Sequence, residues 1–215
     1  QEALTARSTA TPAEGKEITA RMTTDPASLQ HLLPPGYVPA LSGKLFRALP
    51  PAGEKKPVFL GALSGMPIGA ADCLQLSRWL LEAEHEHPDS PVVLMLDAAA
   101  HSARVRDERV VLADYLAHLS RTIFRLRQSG RRCVLWIPGA ASGASYVAFA
   151  ATVERVSALP AASISILPDA TAARIVGDRV QKDGGLDVWL AAGVAGFLIF
   201  HAQAREKGML LQLGE

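Results

Sequence analysis

Two nearly uninterrupted apolar runs, "PVVLMLDAAA" at 91–100 and "CVLWIPG" at 133–139, constrain this chain more than any other feature. A strand with one face in water alternates apolar and polar residues. A strand that stays apolar throughout must be covered on both faces, as parallel strands under helices are. The runs therefore read as buried strands at 91–97 and 132–137. A helix over 105–129 should join them: Leu112, Tyr115, Leu119, Ile123 and Leu126 form one stripe, and Ser129-Gly130 closes it. Parallel neighbours joined through a helix take a right-handed crossover, which sets the centre of an α/β sheet.

The flanks extend this pattern. Short apolar stretches between Pro and Gly predict consecutive, mostly antiparallel strands near 37–41, 44–49 and 57–63. Cys73, Leu76, Leu80 and Ala83 recur at helical spacing and Pro88 ends the run, so a helix is expected at about 70–87. Beyond the second buried strand, Ser142 is placed to cap a helix over 142–152 that runs through Tyr146, Phe149 and Ala150. Short strands at 154–158 and 163–167 follow. Pro168-Asp169 then opens a helix through Ala173 and Ile175, and an apolar helix over 186–208 ends at Gly208. Residues 1–30, rich in Thr, Ala, Glu and Ser, read as a loosely ordered arm, leaving 31–215 as one domain.

Charge and cysteine content exclude several functions. Lys and Arg total 22 against 21 Asp and Glu, so no net field favours nucleic acid or an anionic membrane surface. Cys73 and Cys133 stand far apart in apolar surroundings, which suits buried thiols in a reducing, cytoplasmic compartment better than a disulfide or a metal site. His85 and His87 at i, i+2 point apart on a helix and make no metal pair. Residues 1–30 lack the pattern of a signal peptide, and the apolar run Trp189–Phe200 is shorter than the ~20 residues of a membrane helix.

The stretch "WIPGAASGASYVAFA" at 136–150 is almost bare of side chains between Gly139 and Ser145. It lies where a buried strand gives way to a helix, the place where α/β folds bind ligands. Peptide N–H groups at the positive end of a helix would stabilise an oxyanion there, and small residues would admit a thioester carbonyl. The alternative is that small residues let the helix pack closely on its sheet. A nucleophile elbow does not fit, because Ser142 and Ser145 lack flanking glycines two residues away on both sides. A phosphate loop does not fit either, since no lysine lies between Lys56 and Lys182.

Together "PVVLMLDAAAHSARVRDERVVLADYLAHL" and "RRCVLWIPGAASGASYVAFAATVERVSALPAASISILPDATAARIVG" resemble the gamma subunit of biotin-independent malonate decarboxylase, within the crotonase-like carboxyltransferase superfamily. The resemblance covers 90–177. It implies a single α/β domain of stacked ββα turns in a hetero-oligomer with a beta-type subunit of the same fold. It also implies an acyl-carrier subunit whose dephospho-coenzyme A-type prosthetic group carries the malonyl and acetyl thioesters, with no cofactor bound directly to this chain. Decarboxylation would leave an enolate stabilised by backbone N–H groups.

The family's small-residue turn falls on Ser142, Gly143 and Ala144, beside Gly139, and its Ala-Ala-Arg-Ile falls on Ala172, Ala173, Arg174 and Ile175. The strand end at Ala99, Ala100 and His101 faces the same region in this reading, with His101 able to work near neutral pH and Arg174 to contact a carboxylate or the carrier arm. A satisfied histidine and a surface arginine are the alternatives. The chain departs from the family where Ala99, Ala100 and His101 replace a Pro-Ser-Gln-like strand end, where Pro138-Gly139 replaces Gly-Lys, and where "SGMPIGAAD" replaces a longer basic loop. Two other roles stay open: a noncatalytic partner of a catalytic beta-type subunit, and a carboxyltransferase half of an acyl-CoA carboxylase.

Overall fold

A computed structural model describes residues 29–30, 32–98, 100–159, 162–165 and 196–197. Its centre is the expected pair of buried strands, β4 (Val92–Ala98) and β5 (Cys133–Ile137), which run parallel from Val92↔Cys133 to Met95↔Trp136. Upstream of them β1 (Pro39–Ser42), β2 (Leu45–Ala48) and β3 (Val58–Gly65) form antiparallel neighbours, and β3 then pairs with β4 in parallel. β7 (Arg155–Ala158) extends the sheet beyond β5.

Strict alternation explains why the central runs are continuously apolar. Leu94, Leu96, Leu135 and Ile137 face one core, and Val93, Met95, Val134 and Trp136 face another. The first core is shared with helices α1 (Ala70–Glu86), α3 (Leu112–Gln128) and α4 (Gly143–Ala150). The second is closed by Leu29, Leu32, Leu33 and Tyr37, so packed chain reaches back to Leu29. Tyr37 stands edge-on to Phe59 at 5.1 Å, and Phe59 lies 5.8 Å from Trp136. Both cysteines are buried free thiols, pushed up to about 12 by burial.

A second, shorter ladder lies beyond the strand ends. Ile68 bridges to His101, and β6 (Ala140–Ser142) pairs with both β4 and β8 (Ser163–Ser165). Each turn of chain thus gives a long strand, a short extended piece and a helix: β3, Ile68, α1; then β4, His101 and two helices; then β5, β6, α4. This is the stacked ββα arrangement anticipated above.

The structure corrects the expected elements at two places. The helix expected over 105–129 is broken into α2 (Val105–Arg109) and α3, because Val111 adopts φ 57 in the left-handed region. Asp107 fixes α2 separately by accepting hydrogen bonds from Ser102 and Ala70. In the segment expected as an apolar helix over 186–208, Gly196–Phe197 instead form β9, parallel to β7. An apolar run that long satisfies a buried strand as well as a helix, and β7 would otherwise leave an unpaired edge. The helix expected after Pro168, and the 1–30 arm apart from residues 29 and 30, lie outside the described residues.

The break at Val111 has a measurable cost. A left-handed β-branched residue is unfavourable by about 1–2 kcal/mol, and Asn tolerates that region. Val111 is 54 % exposed, so replacing it removes little packing. Val111→Asn is expected to stabilise the fold by about 1 kcal/mol, a rise in Tm of ~2–4 °C for a chain of this size. Thermal denaturation checks this, and an unchanged or lower Tm refutes the strain.

Candidate active site

The sheet forks at the carboxyl end of β4. From Met95↔Trp136 to Ala98↔Ala141 the chain advances three residues along β4 but five along the other segment. The surplus lets it leave β5 at Ile137, turn through Pro138-Gly139 and rejoin β4 as β6. Ala98 is paired on its other side with Gly65, so three strand ends meet at one residue.

Asp97 reaches into this fork. The residue is only 7 % exposed, and its Oδ1 accepts the Ala140 N–H at 2.9 Å. The backbone N–H groups of Ser64 and Gly65, at the end of β3, also favour the charged form of this carboxylate. Both residues take left-handed backbone, with φ 91 and 66, where the β3–β4 register shifts. Burial raises the Asp97 pKa above its ordinary value, and the three N–H groups oppose that shift. Gly139 makes room for the carboxylate: a Cβ there would lie 2.4 Å from Asp97 Oδ1.

The helix starts above the strand ends differ in charge. At α1, Asp72 accepts the Gly69 N–H at 2.7 Å and pairs with Lys44 at 2.7 Å, while Asp107 accepts the Ala70 N–H at 3.3 Å. The Ser102 hydroxyl, 2.5 Å from Asp107, and the Ala70 N–H hold that carboxyl below its ordinary range. α1 therefore carries its own anions. α4 carries none in its first turn, and its first-turn residues are Gly143, Ala144 and Ser145. Gly143 has φ 65, and Ala144 is exposed.

Ser142 does not cap α4 through its side chain, contrary to expectation. It is the last residue of β6, with its backbone extended and in register with Ser165, and its carbonyl accepts the Ser145 hydroxyl at 2.7 Å. The first-turn N–H groups of α4 are consequently left without a Ser142 side-chain partner.

Gly139, Ser142, Gly143 and Ala144 lie along one contiguous segment, from the turn before β6 through β6 to the first turn of α4, beside the β4 exit through the Ala98↔Ala141 pair. Ala100 accepts the Ile68 N–H at 3.1 Å. His101 is half-buried, and its Nδ1 has no hydrogen-bond partner among the described residues. Ala99 and Arg174 lie outside the described residues. Asp97 was missed in reading the sequence, although a charged residue closing an apolar buried strand signals a carboxylate that must find buried donors. No group of side chains suited to a metal ion occurs among the described residues. No helix among them is long and apolar enough to cross a membrane.

Stacked strand–strand–helix turns, with a small-residue helix start at the fork, define a crotonase-like carboxyltransferase fold. Transcarboxylase 12S matches with a TM-score of 0.65 at 15% identity over 80% of this chain and 37% of its own. The Pseudomonas malonate decarboxylase MdcD-MdcE hetero-dimer matches with a TM-score of 0.61 at 17% identity, covering 82% of this chain and 80% of that one. The hetero-tetramer of Pseudomonas malonate decarboxylase, solved in complex with malonate, matches with a TM-score of 0.59 at 18% identity over 72% and 70%. No curated protein sequence matches. The family model of the malonate decarboxylase gamma subunit, MdcE, matches residues 64–184, more than half of the chain. The chain belongs to the malonate decarboxylase gamma-subunit family.

Asp97 makes stability depend on pH in an unusual direction. Its folded pKa is raised, so at pH values between the two the native state holds a proton that the unfolded chain releases. Stability from this group is lost as pH rises through the folded pKa, and is fully present below the ordinary value of 3.8. The Tm of the wild type relative to Asp97→Asn is therefore expected to increase as pH falls from 7 toward 4. A difference that stays flat, or shrinks, over that range contradicts the assignment.

Proposed function

We propose that this chain acts as the gamma-type subunit of a malonate decarboxylase complex, stabilising through backbone N–H groups the enolate formed from a malonyl thioester. Family membership and the anion-free start of α4 at the fork support this reading. The beta-type subunit of the same fold would complete the site. The thioester would arrive on the dephospho-coenzyme A-type group of an acyl-carrier subunit.

The reaction breaks the bond between the α-carbon and the terminal carboxylate. Carbon dioxide leaves, and the electron pair moves into the thioester to give an enolate whose charge rests on oxygen. Protonation at carbon then yields the acetyl thioester. The N–H groups of Gly143 and Ala144 are assigned to the enolate oxygen, on the positive end of α4. Gly139 shapes the turn that carries them, with Ser142 at its end. Ala99 and Ala100 are assigned to the wall facing the thioester. His101, the one titratable residue between 98 and 102, is assigned to proton transfer, and Arg174 to the substrate carboxylate or the carrier arm.

One observation favours a second reading. The sequence that follows Asp97 is alanine at 98–100, and only Met66, Pro67 and Ile68 separate Gly65 from the α1 N-cap at Gly69, so few side chains are available for chemistry. On that reading the beta-type subunit does the chemistry and this chain supplies structure.

Turnover of malonyl-coenzyme A by the assembled complex, normalised to folded protein, separates the two. Gly143→Val obstructs the approach, and Ala144→Pro deletes one N–H in a helix turn that tolerates proline. Loss of an oxyanion donor is expected to slow turnover by about 10²–10³-fold, equivalent to ~2.7–4 kcal/mol. Unchanged turnover per folded complex in both variants assigns the chemistry to the partner.

A further inference from the structure

We propose that Asp97 is a positioning residue, whose carboxylate ties the end of β3 and the Pro138–Ala140 turn to the exit of β4 and thereby sets where the first turn of α4 lies. The inference rests on the reading that this turn stabilises an anion, and it concerns a residue outside the assigned donors.

Geometry carries it. The Ala140 N–H donates to a carboxylate that is almost wholly removed from water, Gly139 leaves that carboxylate its space, and the Ser64-Gly65 backbone at the end of β3 favours its charged form. A carboxylate has about four lone-pair sites and donates nothing, so it accepts the Ala140 N–H with room for further donors. Ser64 holds φ 91, a conformation costly to a residue with a Cβ, where the β3–β4 register shifts beside Ala98. Gly139 leaves the space a Cβ would deny. From Ala140 only β6 intervenes before Gly143, and β6 is pinned by β4 on one side and β8 on the other. A shift of the turn at Ala140 has little slack in which to dissipate before it reaches α4.

Asp97→Asn keeps the shape but presents an amide NH₂ to at least one N–H donor. Asp97→Ala leaves a hole that the Cβ of Gly139→Ala would partly fill. The complex with the beta-type partner is measured for kcat and KM with malonyl-coenzyme A, for Tm, and for the amide shifts and hydrogen exchange of Gly143 and Ala144. Misplacing reacting groups by ~1 Å costs up to about 10²-fold, so Asp97→Asn should lower kcat toward that extent and leave KM within about twofold. It should also shift the Gly143 and Ala144 amides. The double variant Asp97→Ala/Gly139→Ala should regain Tm over Asp97→Ala without regaining kcat.

Wild-type kcat in Asp97→Asn, or recovery of kcat together with Tm in the double variant, would make Asp97 a space-filler and overturn the inference. Unmoved Gly143 and Ala144 amides in Asp97→Asn overturn it regardless of activity. A wild-type complex that does not decarboxylate malonyl-coenzyme A sinks the proposed function instead, and the amide measurements still decide whether Asp97 positions the turn.

Discussion

A buried carboxylate at the fork of the sheet organises this structure. Isolating an ionised carboxylate from water costs several kcal/mol unless donors surround it. Among the described residues Asp97 is met by peptide N–H groups and by no cation, and peptide groups cannot be brought up without shaping the chain that bears them. The left-handed backbone of Ser64-Gly65, the absence of a Cβ at Gly139 and the turn after β5 all follow from supplying that carboxylate. The fork separates β5 from β6, and the second ladder exists because of it.

The same electrostatic logic distinguishes the helix starts. α1 and α4 both begin just past strand ends, where the first N–H groups of a helix lack intrahelical partners. At α1, Asp72 and Asp107 accept the N–H groups of Gly69 and Ala70, and Lys44 balances the added charge. At α4 the first turn holds only Gly, Ala and Ser, with no side-chain cap from Ser142. Among the described residues, an anion arriving from outside would meet acidic side chains at the first start and none in the first turn of the second. Selectivity between the two sites comes from where acids are placed rather than from added bases.

Much of the fold was legible because burial on both faces leaves an unmistakable mark. The runs around Leu94 and Leu135 had to be central parallel strands, and the stripe from Leu112 to Leu126 had to be a helix laid on them. The break at Val111 was not legible, since nothing in a β-branched residue advertises left-handed backbone and the cause, Asp107 held by Ser102 and α1, is tertiary. Gly196-Phe197 escaped for a related reason: an apolar run has no period that separates helix from buried strand. At the candidate site, the bareness of 139–145 was plain but its causes were mixed. Gly139 is small to admit an internal carboxylate, whereas Gly143 is a glycine at a positive φ where the helix begins. Asp97 sat in view inside "LMLDAAA", disguised by an apolar context that made it look incidental.

A site made of peptide groups constrains a sequence differently from one made of side chains. It fixes conformation, which many residues can satisfy, and demands identity only where a Cβ or a normal φ is forbidden. The alanines at the β4 exit and the short segment before α1 remove side chains without touching Asp97, Gly139 or Gly143. On the proposed reading, this chain has kept the part of an enolate site that a fold can encode, a fixed array of N–H groups around an open helix start. Groups that move protons and hold the carrier then fall to His101, Arg174 and the opposing face of the beta-type subunit.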